Sequence, residues 1–168
     1  MRIAAALLAG LVLLWPPVAA AQQVLSPWHA GATPALKLKD LEGREHALES
    51  YRGKVVLVNF WATWCEPCKV EMPSIERLRK SLESRPFAVL AVNLAEPDAR
   101  VQAFLRAVPL GFPVLMDRDA AATKAWKARM LPATFIVDAD GRLRYSHIGE
   151  LDWSREPVRG QIAALLPR

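Results

Sequence analysis

Hydrophobic positions along the chain alternate between short, fully apolar runs and longer stretches with helical spacing. The run Val55–Trp61 is almost entirely apolar, which predicts a buried central strand of a parallel or mixed sheet. Apolar residues then recur at the intervals of one helix face, at Met72, Ile75, Leu78 and Leu82. Residues 87–93 are again apolar and predict the next buried strand. The pattern therefore begins as strand, helix, strand.

The rest of the chain continues this alternation and adds two hairpins. Further strands are predicted over residues 114–116, 133–137 and 142–148. Further helices are predicted from a cap at Asp98 to about residue 107, from Asp119 through Trp126, and over residues 157–166. A turn at 138–141 makes the last two strands a hairpin, and residues 36–48 predict another short one. This order predicts an α/β fold in which a central mixed sheet is flanked by helices.

The N-terminal residues stand apart from this pattern. After a positively charged start come an apolar run over residues 3–15, two prolines and then small residues. This order is typical of a secretory signal peptide over residues 1–21. The alternative is an uncleaved membrane anchor through residues 3–21, which is barely long enough to span a bilayer. Residues 22–34 lack periodicity and predict a linker, so that the folded domain covers residues 35–168.

Composition and charge agree with an exported globular protein. The 52% of hydrophobic residues suffices for a core and argues against disorder. The formal charge of +5 comes from scattered lysines and arginines rather than a basic block, which argues against nucleic-acid binding. Two cysteines, an even number, suit an oxidising compartment. We therefore expect a monomer that works in the periplasm or another extracytoplasmic space.

The only two cysteines, Cys65 and Cys68, lie where the buried strand turns into the helix. Two thiols cannot form a four-thiolate zinc site, whereas a pair at this spacing can form a disulfide that opens again. At a helix N-terminus the macrodipole and unpaired N–H groups favour a thiolate, which predicts Cys65 as the attacking group. Cys68 lies one turn further and is predicted to resolve the mixed disulfide. A structural bridge is the alternative, but so short a loop removes little chain entropy.

Other residues complete the predicted site. Glu71 lies three residues after Cys68 and is predicted to take the proton of that thiol, the alternative being an exposed helix carboxylate. Pro132 begins a buried strand, and a cis bond there would expose the backbone of Leu131 to an extended substrate. Substrate contacts are expected from Trp64, Glu66, Pro67 and Leu131. No metal and no cofactor beyond the redox-active Cys65–Cys68 disulfide are predicted.

Three segments resemble the thioredoxin superfamily, and in particular its exported TlpA/ResA-like branch. Residues 60–68 (FWATWCEPC) look like the active-site segment of the family, which joins a strand to a helix. Residues 69–73 (KVEMP) match the continuation of that segment in the exported branch. Residues 131–135 (LPATF) resemble the cis-proline loop of the family, which implies a cis bond before Pro132.

The branch implies further structural features. Asn59 stands where cytosolic thioredoxins carry a buried Asp, and Glu71 resembles the acidic residue that takes over its role. An additional strand and helix are expected around residues 93–116. Pro73 matches a proline that kinks the active-site helix without ending it, and the hairpin before Tyr51 resembles an N-terminal addition of the branch.

The resemblance also implies a function, namely dithiol–disulfide exchange on exported proteins that carry disulfides. Members usually act as specific reductants that receive electrons from a membrane thiol donor, often in cytochrome c maturation or copper-site assembly. The alternatives are a disulfide oxidant and a metallochaperone that binds copper through the cysteine pair and one histidine, among His29, His46 and His147. A thiol peroxidase of this fold would need Thr or Ser at the position of Ala62.

Overall fold

The computed structural model of the protein describes residues 24–167. The strands are β1 (Ser26–Pro27), β2 (Lys37–Lys39), β3 (Glu45–Ala47), β4 (Val55–Trp61), β5 (Phe87–Leu94), β6 (Val114–Asp117), β7 (Ala133–Val137) and β8 (Leu143–Ile148). The α-helices are α1 (Glu66–Ser81), α2 (Asp98–Ala107), α3 (Ala121–Ala125) and α4 (Val158–Ala163). A single 3₁₀ turn, Leu48–Tyr51, follows β3.

A six-stranded mixed sheet organises the fold, in the order β1–β8–β7–β4–β5–β6. Strand β4 is parallel to β5 and antiparallel to β7. Strands β5 and β6 are parallel, whereas β7 and β8 form the predicted antiparallel hairpin. Strands β2 and β3 form the expected second hairpin, outside this sheet. The predicted α/β architecture with a central mixed sheet is therefore confirmed.

Strand β4 is buried over its whole length, which confirms it as the central strand. Its side chains alternate between the two faces of the sheet. On one face Trp61 packs in a core with Met72 of α1, and on the other Phe60 packs with Trp126. Both cores hold the carboxyl end of β4 in place, and Cys65 follows directly from that end.

Helix α1 begins immediately after Cys65, which is its N-cap. Pro67 lies in the first turn, where a missing N–H removes no helical hydrogen bond. Pro73 lies inside the helix without ending it, as the resemblance implied. Arg79 and Lys80 in the last turn face the negative end of the macrodipole. The positive end of α1 is consequently directed at the cysteine pair.

Helix α2 and strand β6 are the additional elements expected around residues 93–116. The prediction that Asp98 caps α2 is wrong, because Pro97 occupies the N-cap and Asp98 lies in the first turn. The Asp98 carboxylate instead accepts a hydrogen bond from Arg118 Nη2 at 2.8 Å. Helix α3 likewise begins later than predicted, since Asp119 precedes it and accepts a hydrogen bond from the N–H of Ala121 at 3.1 Å.

The segment predicted as a linker is part of the folded domain from residue 24 onward. Ser26 of β1 pairs with Ser146 of β8, and Leu25 is only 1% exposed. The backbone N–H groups of Val24 and Leu25 both donate to Gln161 Oε1 at 3.2 Å. Residues 24–27 therefore belong to the folded domain and not to a linker, and two paired residues are too few to leave a periodic pattern in the sequence.

The predicted signal peptide or anchor over residues 1–21 lies outside the described residues. Within residues 24–167, no helix combines the length and the hydrophobicity that crossing a bilayer requires.

Candidate active site

Cys65 and Cys68 are joined by a disulfide, with their Cα atoms 5.3 Å apart. Cys65 Sγ accepts a hydrogen bond from the backbone N–H of Cys68 at 3.3 Å, in the geometry of a helix cap. This donor and the helix N-terminus both stabilise negative charge on the sulfur. The arrangement therefore favours a thiolate at Cys65 once the bridge is reduced.

The two sulfur atoms differ in their surroundings. Cys65 is 5% exposed and is preceded by Trp64, which is 62% exposed, whereas Cys68 is completely buried. Glu66 and Pro67, between the cysteines, are exposed as well. Cys65 is therefore the less deeply buried of the two cysteines, and the order of attack stays a prediction.

Glu71 lies on the buried face of α1 and is only 1% exposed. Asn59 Nδ2 donates to its Oε1 at 2.7 Å, and Trp153 Nε1 donates to its Oε2 at 3.0 Å. Burial raises the pKa of Glu71 to about 7, although the hydrogen bonds from Trp153 and Asn59 oppose the rise. A carboxyl group with a pKa near neutrality can both accept and release a proton at physiological pH.

The geometry brings Glu71 and Cys68 together on one side of the helix. They are three residues apart and both are buried, so that their side chains lie one turn apart on the inner face of α1. The alternative of an exposed carboxylate at Glu71 is excluded. Asn59 also donates to Thr134 Oγ1 at 2.8 Å, which links β4, α1 and β7 in one polar network inside the core.

The loop before β7 lies at the same end of the sheet as the disulfide. Phe60 of β4 pairs with Ala133 of β7, so that Pro132 lies beside the segment that leads from β4 to Cys65. The Leu131–Pro132 bond is cis, as the resemblance implied. Pro132 is buried and Leu131 is half-buried.

Three exposed apolar side chains also lie at this end of the sheet, and we call them the apolar rim: Trp64, Met130 and Ile148. Their exposed fractions are 62%, 65% and 43%. Trp64 follows β4, Met130 precedes β7, and Ile148 of β8 pairs with Ala133. Apolar side chains grouped on a surface in this way are typical of a site that binds another protein. Of these three residues, only Trp64 was predicted from the sequence.

Glu96 is a second buried carboxylate near the disulfide, and it was not predicted from the sequence. It is 5% exposed and accepts hydrogen bonds from the N–H of Thr63 at 2.6 Å and from the Thr63 hydroxyl at 2.5 Å. Asn93 Nδ2 donates to it at 2.8 Å. Glu96 therefore holds the loop that leads to Cys65. A signal was available, because the carboxyl ends of parallel strands such as β4 and β5 meet at one edge of a sheet.

Trp153 is the other missed residue, and it lies 82 positions after its partner Glu71. A separation of this size leaves no local pattern from which the contact could be predicted. Trp153 is fully buried, and its ring also packs edge-to-face on His147 with centroids 6.0 Å apart.

The histidines are not gathered around the disulfide as a metal site would require. His46 contacts Tyr51 Oη at 2.7 Å and Asp40 Oδ2 at 2.9 Å, in the β2–β3 region. Among residues 24–167, no group of three or more His, Cys, Asp or Glu side chains is arranged to hold a metal ion. The metallochaperone alternative therefore gains no support from the described side chains.

Comparison with known proteins relates the chain to exchange enzymes. The model of the AhpC/TSA family matches residues 30–146. A relative named thiol-disulfide oxidoreductase ResA, from Geobacillus thermodenitrificans, is 37% identical over 134 residues, which are 80% of this chain and 76% of that protein. The thioredoxin-like protein YneN of Bacillus subtilis is 37% identical over 121 residues, 70% of each chain.

Solved structures agree with these relatives. A putative thiol:disulfide interchange protein DsbE from Chlorobium tepidum superimposes with a TM-score of 0.74 at 28% identity, over 80% of this chain and 94% of that one. A putative thioredoxin from Neisseria meningitidis gives a TM-score of 0.70 at 29% identity, over 79% and 87% of the two chains.

The relatives and the Cys65–Cys68 disulfide indicate the same chemistry. The ResA relative is named for thiol–disulfide exchange, and Ala62 occupies the position at which a thiol peroxidase of this fold would need Thr or Ser. The family match covers most of the described chain, including both cysteines and Pro132. The chain therefore belongs to the AhpC/TSA family, has a thioredoxin-like fold, and is a thiol–disulfide oxidoreductase related to ResA.

Proposed function

We propose that the protein is exported and reduces disulfides in specific proteins, with Cys65 as the attacking thiol and Cys68 as the resolving thiol. One observation carries this proposal, namely that a fully buried cysteine and a buried carboxyl group lie on the same face of α1, next to a second, less deeply buried cysteine. Cys65 follows the exposed Trp64, whereas Cys68 and Glu71 share the buried face of α1. Attack and resolution thus take place in different surroundings.

The exchange begins when the Cys65 thiolate attacks one sulfur of the substrate disulfide and the other substrate sulfur leaves as a thiolate. A mixed disulfide then joins Cys65 to the substrate. Cys68 gives its proton to the Glu71 carboxylate and attacks Cys65 Sγ, which releases the second substrate sulfur and closes the bridge. Two electrons pass to the substrate, whose thiolates take up protons from water, and Glu71 returns its proton to water.

The proposed direction of electron flow follows from charge near the bridge. Ionised Glu71 places negative charge near the thiols, which disfavours their thiolate forms, whereas the charge of Glu66 is paired with that of Lys69. A dithiol that is less stabilised is a weaker oxidant, and potentials in this fold extend from about −270 mV to about −120 mV. We therefore propose a potential toward the reducing end of this range.

A disulfide oxidant is the second candidate function, because two features act in the opposite sense. The N-terminus of α1 and the N–H of Cys68 stabilise a thiolate at Cys65, and a stabilised dithiol is a stronger oxidant. A redox titration of the Cys65–Cys68 pair against dithiothreitol separates the two candidates. A potential near −120 mV would support the oxidant and overturn the reductant.

The wider role follows the resemblance to the TlpA/ResA-like branch. We propose that a thiol donor in the membrane reopens the bridge, and that the substrates are exported proteins with oxidised haem-attachment or copper-site cysteines. Export itself is proposed from the apolar run over residues 3–15. Cell fractionation followed by N-terminal sequencing of the mature protein tests export, and a protein that stays in the cytoplasm would contradict it.

The assigned order of the two thiols can be tested by trapping substrates. Cys68→Ser should accumulate mixed disulfides through Cys65, because attack still occurs and resolution does not. Cys65→Ser should trap nothing and should abolish exchange. Non-reducing gels and mass spectrometry of both variants provide the measurement, and partners captured through Cys68 in the Cys65→Ser variant would reverse the assignment.

A further inference from the structure

We propose that Trp153 is a positioning residue for proton transfer at Glu71, because its indole N–H holds Oε2 and keeps the carboxylate available as an acceptor. This inference rests on the proposed function of Glu71 as the acceptor of the Cys68 proton. Trp153 Nε1 lies 3.0 Å from Glu71 Oε2, and both side chains are at most 1% exposed.

Hydrogen bonds through Ser74 also connect the backbone of Trp153 to the same turn of α1. Its backbone N–H donates to Ser74 Oγ at 3.1 Å, and the Ser74 hydroxyl donates to the backbone carbonyl of Glu71 at 2.7 Å. Ser74 is itself 4% exposed. The main chains of Trp153 and Glu71 are therefore held together through Ser74, in addition to the hydrogen bond between their side chains.

The indole N–H of Trp153 favours the ionised form of Glu71. An indole N–H can donate a hydrogen bond and cannot accept one, so it binds the ionised carboxylate better than a protonated oxygen at the same position. Asn59 Nδ2 holds the other oxygen at 2.7 Å. Burial raises the pKa of Glu71, and hydrogen bonds from Trp153, Asn59 and the backbone at Leu151 oppose this rise, to give a pKa of about 7.

The charged and titratable groups around Glu71 are few. Helix α1 contributes Cys68, β8 contributes His147 against the Trp153 ring, and the segment after β8 contributes Glu150, whose charge raises the pKa of Glu71. Burial lowers the pKa of His147, so this ring is neutral at pH 7. Strands β4 and β7 present the uncharged Asn59 and Thr134. The hydrogen bonds from Trp153, Asn59 and the backbone at Leu151 therefore limit how far burial raises the pKa of Glu71.

The test is Trp153→Phe, which keeps an aromatic ring and removes the donor. In the disulfide form, where neither cysteine titrates, the pKa of the Glu71 carboxyl is followed by carbon NMR, with Glu71→Gln to assign the signal. We expect this pKa to rise by about one pH unit, the effect of losing one hydrogen bond to a charged group. Exchange at pH 7 should slow about fivefold, because a smaller fraction of Glu71 is ionised, and the pH profile of exchange should move to higher pH.

Trp126→Phe is the matched control. Trp126 is equally buried and its Nε1 donates to the carbonyl of Ala35 at 3.1 Å, but it packs in the core on the opposite face of the sheet. It should leave the pKa of Glu71 and the pH profile unchanged. If Trp153→Phe does not fold, site-specific replacement of Trp153 by 3-benzothienylalanine keeps the shape of the ring and removes only the N–H.

The possible failures are distinguishable. An unchanged Glu71 pKa in the Trp153 variant overturns the role of Trp153 and leaves the proposed function of Glu71 intact. An unchanged exchange rate and pH profile in Glu71→Gln overturns Glu71 as the acceptor, and the proposal for Trp153 with it. A raised Glu71 pKa together with an alkaline shift of the pH profile supports both.

Discussion

Replacing Glu71 by Gln should make the stability of the disulfide form depend less on pH. The reason is that burial of the ionised Glu71 carboxylate opposes folding near neutral pH. An isolated Glu titrates at 4.5, whereas burial raises the pKa of Glu71 to about 7 in the folded state. Gln has nearly the same shape as protonated Glu and carries no charge at any pH. The variant therefore removes the titration and retains most of the packing on the inner face of α1.

The expected magnitude follows from the two pKa values. Below pH 4.5 the carboxyl group is protonated in both the folded and the unfolded chain, so its titration does not affect stability. Between pH 4.5 and pH 7 the unfolded chain releases the proton while the folded chain keeps it, and the free energy of unfolding falls. A difference of 7 − 4.5 = 2.5 pH units corresponds to a loss of about 3 kcal/mol, complete slightly above pH 7.

The assay is urea unfolding of the disulfide form at pH 4 and pH 8, followed by tryptophan fluorescence. Between pH 4 and pH 8, the free energy of unfolding of the wild type should fall by about 3 kcal/mol relative to that of Glu71→Gln. Comparing the two proteins cancels the titration of all other groups. Parallel pH dependences would refute the reasoning, since they would mean that Glu71 ionises normally in the folded state.

Glu76→Gln is the matched control on the same helix. The hydrogen bond from Arg79, with Nη2 2.8 Å from Glu76 Oε1, lowers the pKa of Glu76. A lowered pKa contributes stability that is present above the unfolded pKa and is lost as the pH falls. The stability of Glu76→Gln relative to the wild type should therefore fall from pH 4 to pH 8. The stability of Glu71→Gln relative to the wild type should rise over the same range. The same sign for both variants would show that the two measurements report something other than these carboxyl groups.

Two further predictions concern the surroundings of Cys65. Glu96→Ala leaves the N–H and hydroxyl of Thr63 without their acceptor, so it should lower the free energy of unfolding in urea by about 1–3 kcal/mol and slow exchange. Glu83→Ala, at an exposed position, is the control. Equal stability of the two variants would show that Glu96 does not hold the Thr63 loop in place. Trp64→Ala should change stability by less than about 0.5 kcal/mol, because the side chain is 62% exposed, yet raise KM for a protein disulfide. A small aromatic disulfide is the comparison substrate, and equal effects on both substrates would argue against protein binding at the apolar rim.

Local patterns in the sequence were sufficient to predict the strand and the helix that position the cysteines. The apolar run of β4 predicts a buried strand, and the apolar spacing from Met72 to Leu78 predicts the helix that follows. A cysteine between such a strand and such a helix lies at a helix N-terminus whatever the rest of the chain does. The position of Cys65, and the helical turn that separates it from Cys68, could therefore be predicted from short-range order alone.

Contacts between distant residues could not be predicted in this way. Strand β1 consists of two residues, and its pairing with β8 depends on a partner 120 positions away. The ion pair of Asp98 with Arg118 and the hydrogen bonds of Thr63 to Glu96 likewise join separate elements. In each case the residue type is compatible with several partners, and only the packing of the sheet selects one of them.

Glu71 has one property that the local sequence predicts and another that only the tertiary fold determines. Its spacing from Cys68 is a local property, and it was enough to propose a proton acceptor. Its pKa is a tertiary property, because α1 and the sheet exclude water from it while Asn59 and Trp153 arrive from 12 residues before and 82 residues after it. A glutamate at the same spacing on an exposed helix face would titrate near 4.5 and could not hold the proton of a thiol at pH 7. The pKa that suits Glu71 to the proposed proton transfer is therefore a consequence of the folded core, which surrounds an otherwise ordinary carboxyl group.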